Sequence, residues 1–129
     1  MNDINKKENR KLEIEKGSAA LRQARILYDN REYDGSVSRS HYAAFHYVTA
    51  LLLTKGIEAA SHDGLIRMFH LHFIKDGLFP KKYGSIISHL EKAREESDYW
   101  SEVTTTEEDA KKQLADTEDL IQAISDYLK

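Results

Sequence analysis

The sequence has 129 residues, of which 32% are charged, 40% are hydrophobic and only one is proline, so it predicts a single helix-rich globular domain. It contains no cysteine, which excludes disulfides, thiolate metal ligands and a cysteine nucleophile. Its net charge of −3 argues against a general nucleic-acid coat, because proteins that bind phosphates non-specifically are usually basic.

The first predicted element is a helix over roughly residues 5–30, and residues 1–7 are a candidate disordered tail. The N-terminal segment has no apolar region of the kind that a secretory signal carries. Further along the chain, no apolar run approaches the ~20 residues that a membrane span needs. These features predict a cytoplasmic protein.

Four more helices are predicted in chain order. The second covers roughly residues 33–55 and stops before Gly56, and the third begins at Ser61 as its N-cap. The only proline, in "KDGLFPKK", separates the third helix from a fourth over roughly 81–98. A capping box of Thr105 and Glu108 opens the last helix, which runs to the end. Because the loops are short, we expect one domain over residues 1–129, an all-α up-and-down bundle of four to five helices.

The second helix carries polar residues on an otherwise apolar element. Arg39 and His46 are seven residues apart, so they lie within about 20° of each other around the helix axis. Ala43 falls between them and Ala50 follows one turn beyond His46. These small side chains predict a surface with room for a ligand or a second helix. A solvated face that merely carries two charged residues remains the alternative. His41 points toward the opposite side and is predicted to be a core histidine bonded to a nearby polar group.

The fourth helix places Arg94 close to apolar positions, which predicts a structural ion pair with Asp98 four residues later. The six histidines do not indicate a metal site, because no H-E-x-x-H or Glu-x-x-His pattern is present. His62 has no carboxylate or histidine at a ligand-like spacing on its own helix. We therefore expect no metal and no cofactor.

Three segments, "SRSHYAAFHYVTALLLTKG", "SHDGLIRMF" and "REESDYW", together resemble the HEPN domain family over roughly residue 17 to the end. The likeness is greatest to small, single-domain prokaryotic members that are often encoded beside a minimal nucleotidyltransferase. The resemblance implies a HEPN-like bundle that forms a homodimer, in which the Arg/His faces of two subunits meet in a cleft. It implies Arg39 and His46 as catalytic residues, with Ser40, Tyr42 and Tyr47 as binding residues.

The same resemblance leaves two functions open. Many members are metal-independent endoribonucleases that act as the toxin of a toxin–antitoxin pair, which would make RNA the substrate and the nucleotidyltransferase the antitoxin. Nuclease-type members often have Asn, Asp or His after the arginine, whereas this chain has Ser40. Members whose tyrosine the partner modifies carry His-x-Tyr, whereas Val48 fills the third place here. The alternative is therefore a non-catalytic module that binds a nucleotidyltransferase or a nucleotide, and a plain scaffolding bundle is the third possibility.

Overall fold

The computed structural model describes residues 3–99 and 105–129, which form five α-helices and no strand. The helices are α1 (Asp3–Asp29), α2 (Tyr33–Leu53), α3 (His62–Phe69), α4 (Lys81–Tyr99) and α5 (Glu107–Leu128). A π-helical turn over His70–Ile74 continues α3. The all-α bundle predicted from the sequence is confirmed. Within the described residues, none of the helices has both the length and the hydrophobicity that crossing a bilayer requires.

The helix starts follow the predicted capping chemistry with one correction. Ser61 caps α3 as expected, since its Oγ accepts a hydrogen bond from the backbone of the first turn at 3.0 Å. The cap of α5 is Thr106, which accepts from the backbone N–H of Asp109, so the predicted cap at Thr105 is wrong by one residue. The backbone N–H of Thr105 instead donates to the Asp34 side chain of α2 at 3.0 Å. This contact links the start of α5 to the start of α2.

The N-terminal residues of the description are already helical. Helix α1 begins at Asp3, so residues 3–7, which fall in the predicted disordered tail, form its first turns. Two of these residues, Lys6 and Lys7, lie close to the end of α2 and line a groove there together with Gly56. Helix α1 therefore begins nearer the N-terminus than the predicted start at about residue 5.

Helix α2 is the centre of the bundle and contacts every other helix. Its pairing with α1 is antiparallel, because Ser36 Oγ donates to the Ala24 carbonyl near one end while Gly17 faces Tyr47 further along. The core combines aliphatic side chains of α2, α4 and α5 with a cluster of aromatic rings around the π-helical turn. Its fully buried large members include Val48, Leu51, Leu52, Phe69, Phe73, Ile87, Leu90, Leu120 and Ile124.

Of the two predicted occupants of the alanine surface on α2, a ligand or a second helix, the structure shows a helix of the same chain. Ala43 and Ala50 are both completely buried within a single chain, so they do not line an open cleft. Helix α1 covers Ala43 at close range: a Cβ added to Gly17 would lie 2.6 Å from the Tyr47 ring and 3.2 Å from the Ala43 carbonyl oxygen. The small residues therefore serve the close approach of α1 to α2, not an approach by a second molecule.

Candidate active site

The outer edge of α2 carries the Arg39–Tyr42–His46 group that the sequence predicted. Arg39 is exposed, and its guanidinium carbon lies 5.7 Å from the centre of the Tyr42 ring, which is itself 41% exposed. His46 lies one turn further along and is half-buried. Arg39 and Tyr42 are exposed and His46 is half-buried, whereas Ala43 is fully buried under α1, so the edge of the α1–α2 contact runs along this side of α2. The structure thus brings the two predicted catalytic residues to one accessible edge.

Helix α1 supplies a partner for His46 that the sequence analysis did not find. The Nδ1 atom of His46 lies 2.7 Å from Oε2 of Glu13. Because a carboxylate can only accept, the proton of this bond sits on Nδ1. Nε2 is then the atom that can accept another proton. A histidine whose tautomer is set by a carboxylate is the usual arrangement of a general base.

A cavity of about 320 Å³ opens beside this pair. Glu13 and His46 line it on the side of α1 and α2, together with the rings of Tyr42 and Phe45. The segment 59–61 and the start of α3 close the other side and bring His62 into the same cavity. The cavity therefore combines aromatic surface with two histidines from different helices. Arg39 is not part of its lining, but its guanidinium lies against the ring of Tyr42, which is.

Next to the cavity, Glu91 of α4 is hydrogen-bonded to three side chains, those of His41, His62 and Arg94. Its Oε2 atom lies 2.8 Å from Nε2 of His41 and 3.3 Å from Nδ1 of His62. Its Oε1 atom accepts a hydrogen bond from Nη2 of Arg94 at 2.7 Å. The sequence prediction that His41 is a core histidine bonded to a polar group is confirmed, since His41 is fully buried.

The protonation states in this cluster follow from burial and hydrogen bonding. Burial lowers the pKa of His41 to about 4, although the hydrogen bond that His41 donates to Glu91 acts in the opposite direction. Burial alone would raise the pKa of Glu91, but the bonds from Arg94, His41 and His62 outweigh it and lower that pKa to about 2. At neutral pH the cluster thus contains a neutral His41 that donates from Nε2 to an ionised Glu91.

The nitrogen and oxygen atoms of His41, His62 and Glu91 lie within 4.8 Å of one another, a spacing that could hold a metal ion. Spacings along single helices predicted no metal site, whereas these residues come from α2, α3 and α4. The other oxygen of the same carboxylate already accepts from Arg94 at 2.7 Å. That guanidinium places a positive charge beside the position that a metal ion would occupy, so the residues fit a charged hydrogen-bond network better than a metal centre.

Two of the predicted binding residues do not reach the cavity. Ser40 is fully buried, and Tyr47 is only 7% exposed and packs under α1 against Gly17. Their positions on α2 turn them toward the core, which the resemblance alone did not reveal. For the predicted ion pair, the structure joins Arg94 to Glu91, three residues earlier, and the Asp98 side chain lies outside the described residues.

These features define an all-helical bundle with an arginine–histidine site at the edge of its central helix. The HEPN domain model matches residues 11–127, and the chain belongs to the HEPN domain family.

Several relatives have similar lengths. The chain is 37% identical over 116 residues to a Methanocaldococcus jannaschii protein named "Putative toxin MJ0605", covering 90% of this chain and 86% of that protein. It is 36% identical over 105 residues to "Putative toxin MJ0142" of the same organism, covering 81% of this chain and 71% of that protein. A Thermotoga maritima protein named "UPF0332 protein" is 31% identical over 109 residues, covering 84% of this chain and 83% of that protein.

Proposed function

We propose that this protein is a toxin-type, metal-independent endoribonuclease that acts as a homodimer. The observation that carries the proposal is the pairing of His46 with Glu13 in the lining of a cavity, with the exposed Arg39 against the Tyr42 ring of the same lining. RNA brings its own nucleophile, the 2′-OH, so cleavage needs a base, an acid and stabilisation of phosphate charge. His46 is suited to take the 2′-OH proton, and Arg39 is suited to stabilise the phosphoryl oxygens.

The toxin role rests on family membership and on the names of two relatives, together with a site that is accessible from solvent. In this proposal the partner is a minimal nucleotidyltransferase that acts as antitoxin, and it would mask the exposed edge at Arg39 and Tyr42. Co-expression should recover a complex of the two proteins and restore the growth that the toxin alone suppresses.

The homodimer is proposed on the family resemblance and on the exposed Arg39–Tyr42 edge. Ala43 and Ala50 do not contribute to this edge, because both are fully buried within a single chain. Two arginines meeting across a dimer axis would repel each other unless an anion such as an RNA phosphate lay between them. The dimer would thus favour anionic substrates in its cleft.

The test of the catalytic proposal is the identity of the product ends. Purified protein in excess chelator should cleave single-stranded RNA to fragments that carry 2′,3′-cyclic phosphate and 5′-hydroxyl ends. DNA of the same sequence should remain intact, because it lacks the 2′-OH. Fragments with 5′-phosphate ends would contradict the mechanism, since they require water to attack in place of the 2′-OH.

A second candidate function is nucleotide binding without cleavage. The Tyr42 and Phe45 rings that line the 320 Å³ cavity favour it, because aromatic surfaces stack on bases whatever the base identity. Calorimetric titration with nucleoside monophosphates distinguishes the two functions. Tight binding without any RNA cleavage would favour the non-catalytic module.

A further inference from the structure

We infer that His62 of α3 is a second catalytic residue of this cavity and serves as the general acid opposite His46. The inference rests on the proposed ribonuclease function and adds to it a residue that the arginine–histidine pattern does not contain. It places the base and the acid within one subunit, so that proton transfer does not require the histidine of a second copy.

The position of His62 fits this role because one side of its ring is held and the other is open. Its imidazole is 5.2 Å from the His41 ring and 4.6 Å from the Phe45 ring, between ring centres. Its side chain nevertheless keeps 42% of its surface exposed and lines the cavity that His46 lines from α2.

The hydrogen bond to Glu91 fits the role as well. Glu91 contacts Nδ1 of His62 at 3.3 Å, which leaves Nε2–H of that ring to face a substrate. The carboxylate is 7% exposed and is itself bonded to buried His41 at 2.8 Å, so it fixes the orientation of the His62 ring.

The two histidines therefore have matching supports. Glu13 bonds Nδ1 of His46 at 2.7 Å, and Glu91 bonds Nδ1 of His62. Each imidazole is thus bonded to a carboxylate through the same nitrogen and retains Nε2 for chemistry. Buried His41 is different, because it uses Nε2 on Glu91 and lies away from solvent. This difference assigns proton transfer to His46 and His62 and a structural role to His41.

The reaction balances with these two groups alone. Nε2 of His46 takes the proton of the 2′-OH, and the 2′-oxygen forms a bond to phosphorus. The bond between phosphorus and the 5′-oxygen breaks, and that oxygen takes the proton from Nε2 of His62. The products are a 2′,3′-cyclic phosphate and a 5′-hydroxyl group, and proton exchange with water resets both histidines.

The experiment separates the acid from the base by changing the leaving group. One oligoribonucleotide that the wild type cleaves is compared with the same oligonucleotide carrying sulfur in place of the bridging 5′-oxygen at the cleavage site. A thiolate leaves without a proton, so loss of the acid should matter only for the oxygen substrate. His62→Ala should cleave the oxygen substrate at least about 100-fold more slowly, but the sulfur substrate less than about tenfold more slowly. His46→Ala should slow both substrates by about 100-fold or more.

Two variants control the interpretation. His62→Gln keeps a donor for Glu91 but cannot transfer a proton, so it should behave like His62→Ala. His89→Ala removes an exposed histidine of α4 and should leave both rates at wild-type level. Thermal unfolding followed by circular dichroism verifies that each variant is folded.

Three results would overturn the inference. Recovery of wild-type rates in His62→Gln would make His62 a structural residue, and an equal loss on both substrates in His62→Ala would exclude it as the acid. Either result leaves the ribonuclease function intact. Absence of cleavage by the wild-type protein would instead overturn the proposed function and this inference together.

Discussion

Glu13 of α1 bonds Nδ1 of His46 of α2 at 2.7 Å, across 33 residues of sequence. The bond sets the tautomer of the histidine, so Nε2 becomes the proton-accepting atom. The first helix is thus part of the candidate active site as well as a cover for the core.

Removal of Glu13 should therefore impair catalysis more than stability. We expect Glu13→Ala to reduce kcat for RNA cleavage by about 100-fold, and Glu13→Gln to reduce it less, because the amide oxygen can still accept from Nδ1. Glu8→Gln, an exposed change on the same helix, is the matched control. Steady-state cleavage of a labelled oligoribonucleotide measures the effect, and a wild-type kcat in Glu13→Ala would exclude this positioning role.

Glu91 should be a major determinant of stability. Its replacement by alanine leaves Nε2–H of buried His41 without an acceptor and takes away the carboxylate that Arg94 contacts at 2.7 Å. Breaking a buried charge network costs roughly 3–5 kcal/mol. Urea unfolding should thus give a free energy lower by about 3 kcal/mol for Glu91→Ala. The exposed neighbour Glu96→Ala should stay within about 0.5 kcal/mol of wild type. Equal values for the two variants would contradict the described network.

Stability should fall on acidification before most carboxylates titrate. Burial lowers the pKa of His41 to about 4, so the unfolded chain takes up this proton near pH 6.5 whereas the folded protein does not. The resulting stabilisation is complete above pH 6.5 and is lost as the pH falls from 6.5 to about 4. At about 1.4 kcal/mol per pH unit, the loss amounts to about 3 kcal/mol. The depressed pKa of Glu91, at about 2, adds a further loss as the pH falls from about 4.5 to 2.

Urea titrations at pH 8, 7, 6, 5 and about 4 would follow this change in unfolding free energy. His41→Gln lacks the titrating group, so its stability should depend much less on pH in the range between 6.5 and 4. The exposed His89→Ala should keep the wild-type slope. A His41→Gln protein with an unchanged slope would show that the acid sensitivity arises elsewhere.

The α1–α2 contact should not tolerate a methyl group at Gly17. Alanine is favoured over glycine inside a helix by about 1 kcal/mol, so propensity alone predicts stabilisation. The added Cβ would lie 2.6 Å from the Tyr47 ring, however, and we expect Gly17→Ala to cost about 1–3 kcal/mol through overpacking. Chemical unfolding of Gly17→Ala, Tyr47→Leu and the double variant would measure the coupling. Stabilisation by Gly17→Ala would contradict the close packing.

The proposed dimer should depend on the exposed edge of α2 and not on its alanines. Tyr42→Glu places a charge beside Arg39 on this edge, and it should shift the mass measured by light scattering from about twice 14.9 kDa toward the monomer, with helicity retained. Glu8→Lys, a charge change on exposed surface of α1, serves as control. A wild-type protein that is monomeric at high micromolar concentration would contradict the dimer.

Much of α2 could be predicted from the sequence because helical periodicity depends only on local spacing. Periodicity placed Arg39 and His46 on one face of α2 and His41 toward the core, and the three side chains have these positions in the structure. Periodicity could not locate the edge of α1, which passes beside Tyr42 and covers Ala43. The exposure of neighbouring positions on one face is thus decided by how two helices cross, which a single helix does not encode.

The carboxylates of the site could not be predicted for a related reason. Glu13 and Glu91 reach their histidines from other helices, so no spacing within one helix indicates either contact. In the sequence, His62 was considered only as a metal ligand and as part of the segment "SHDGLIRMF", not as a residue of this site. Its place in the cavity depends on the approach of α3 to α2. Helix caps depend on local chemistry and were easier to predict from the sequence. Even so, the N-cap of α5 is Thr106 and not the predicted Thr105, whose backbone N–H donates to Asp34.

If His46 performs metal-independent RNA cleavage, its removal should abolish cleavage in the absence of metal ions. Wild type, His46→Ala and the exposed-histidine control His89→Ala are incubated with single-stranded RNA in excess chelator. We expect cleavage by wild type and His89→Ala at equal rates, and a loss of about 100-fold or more in His46→Ala with unchanged thermal unfolding. Equal cleavage by wild type and His46→Ala would contradict this role of His46.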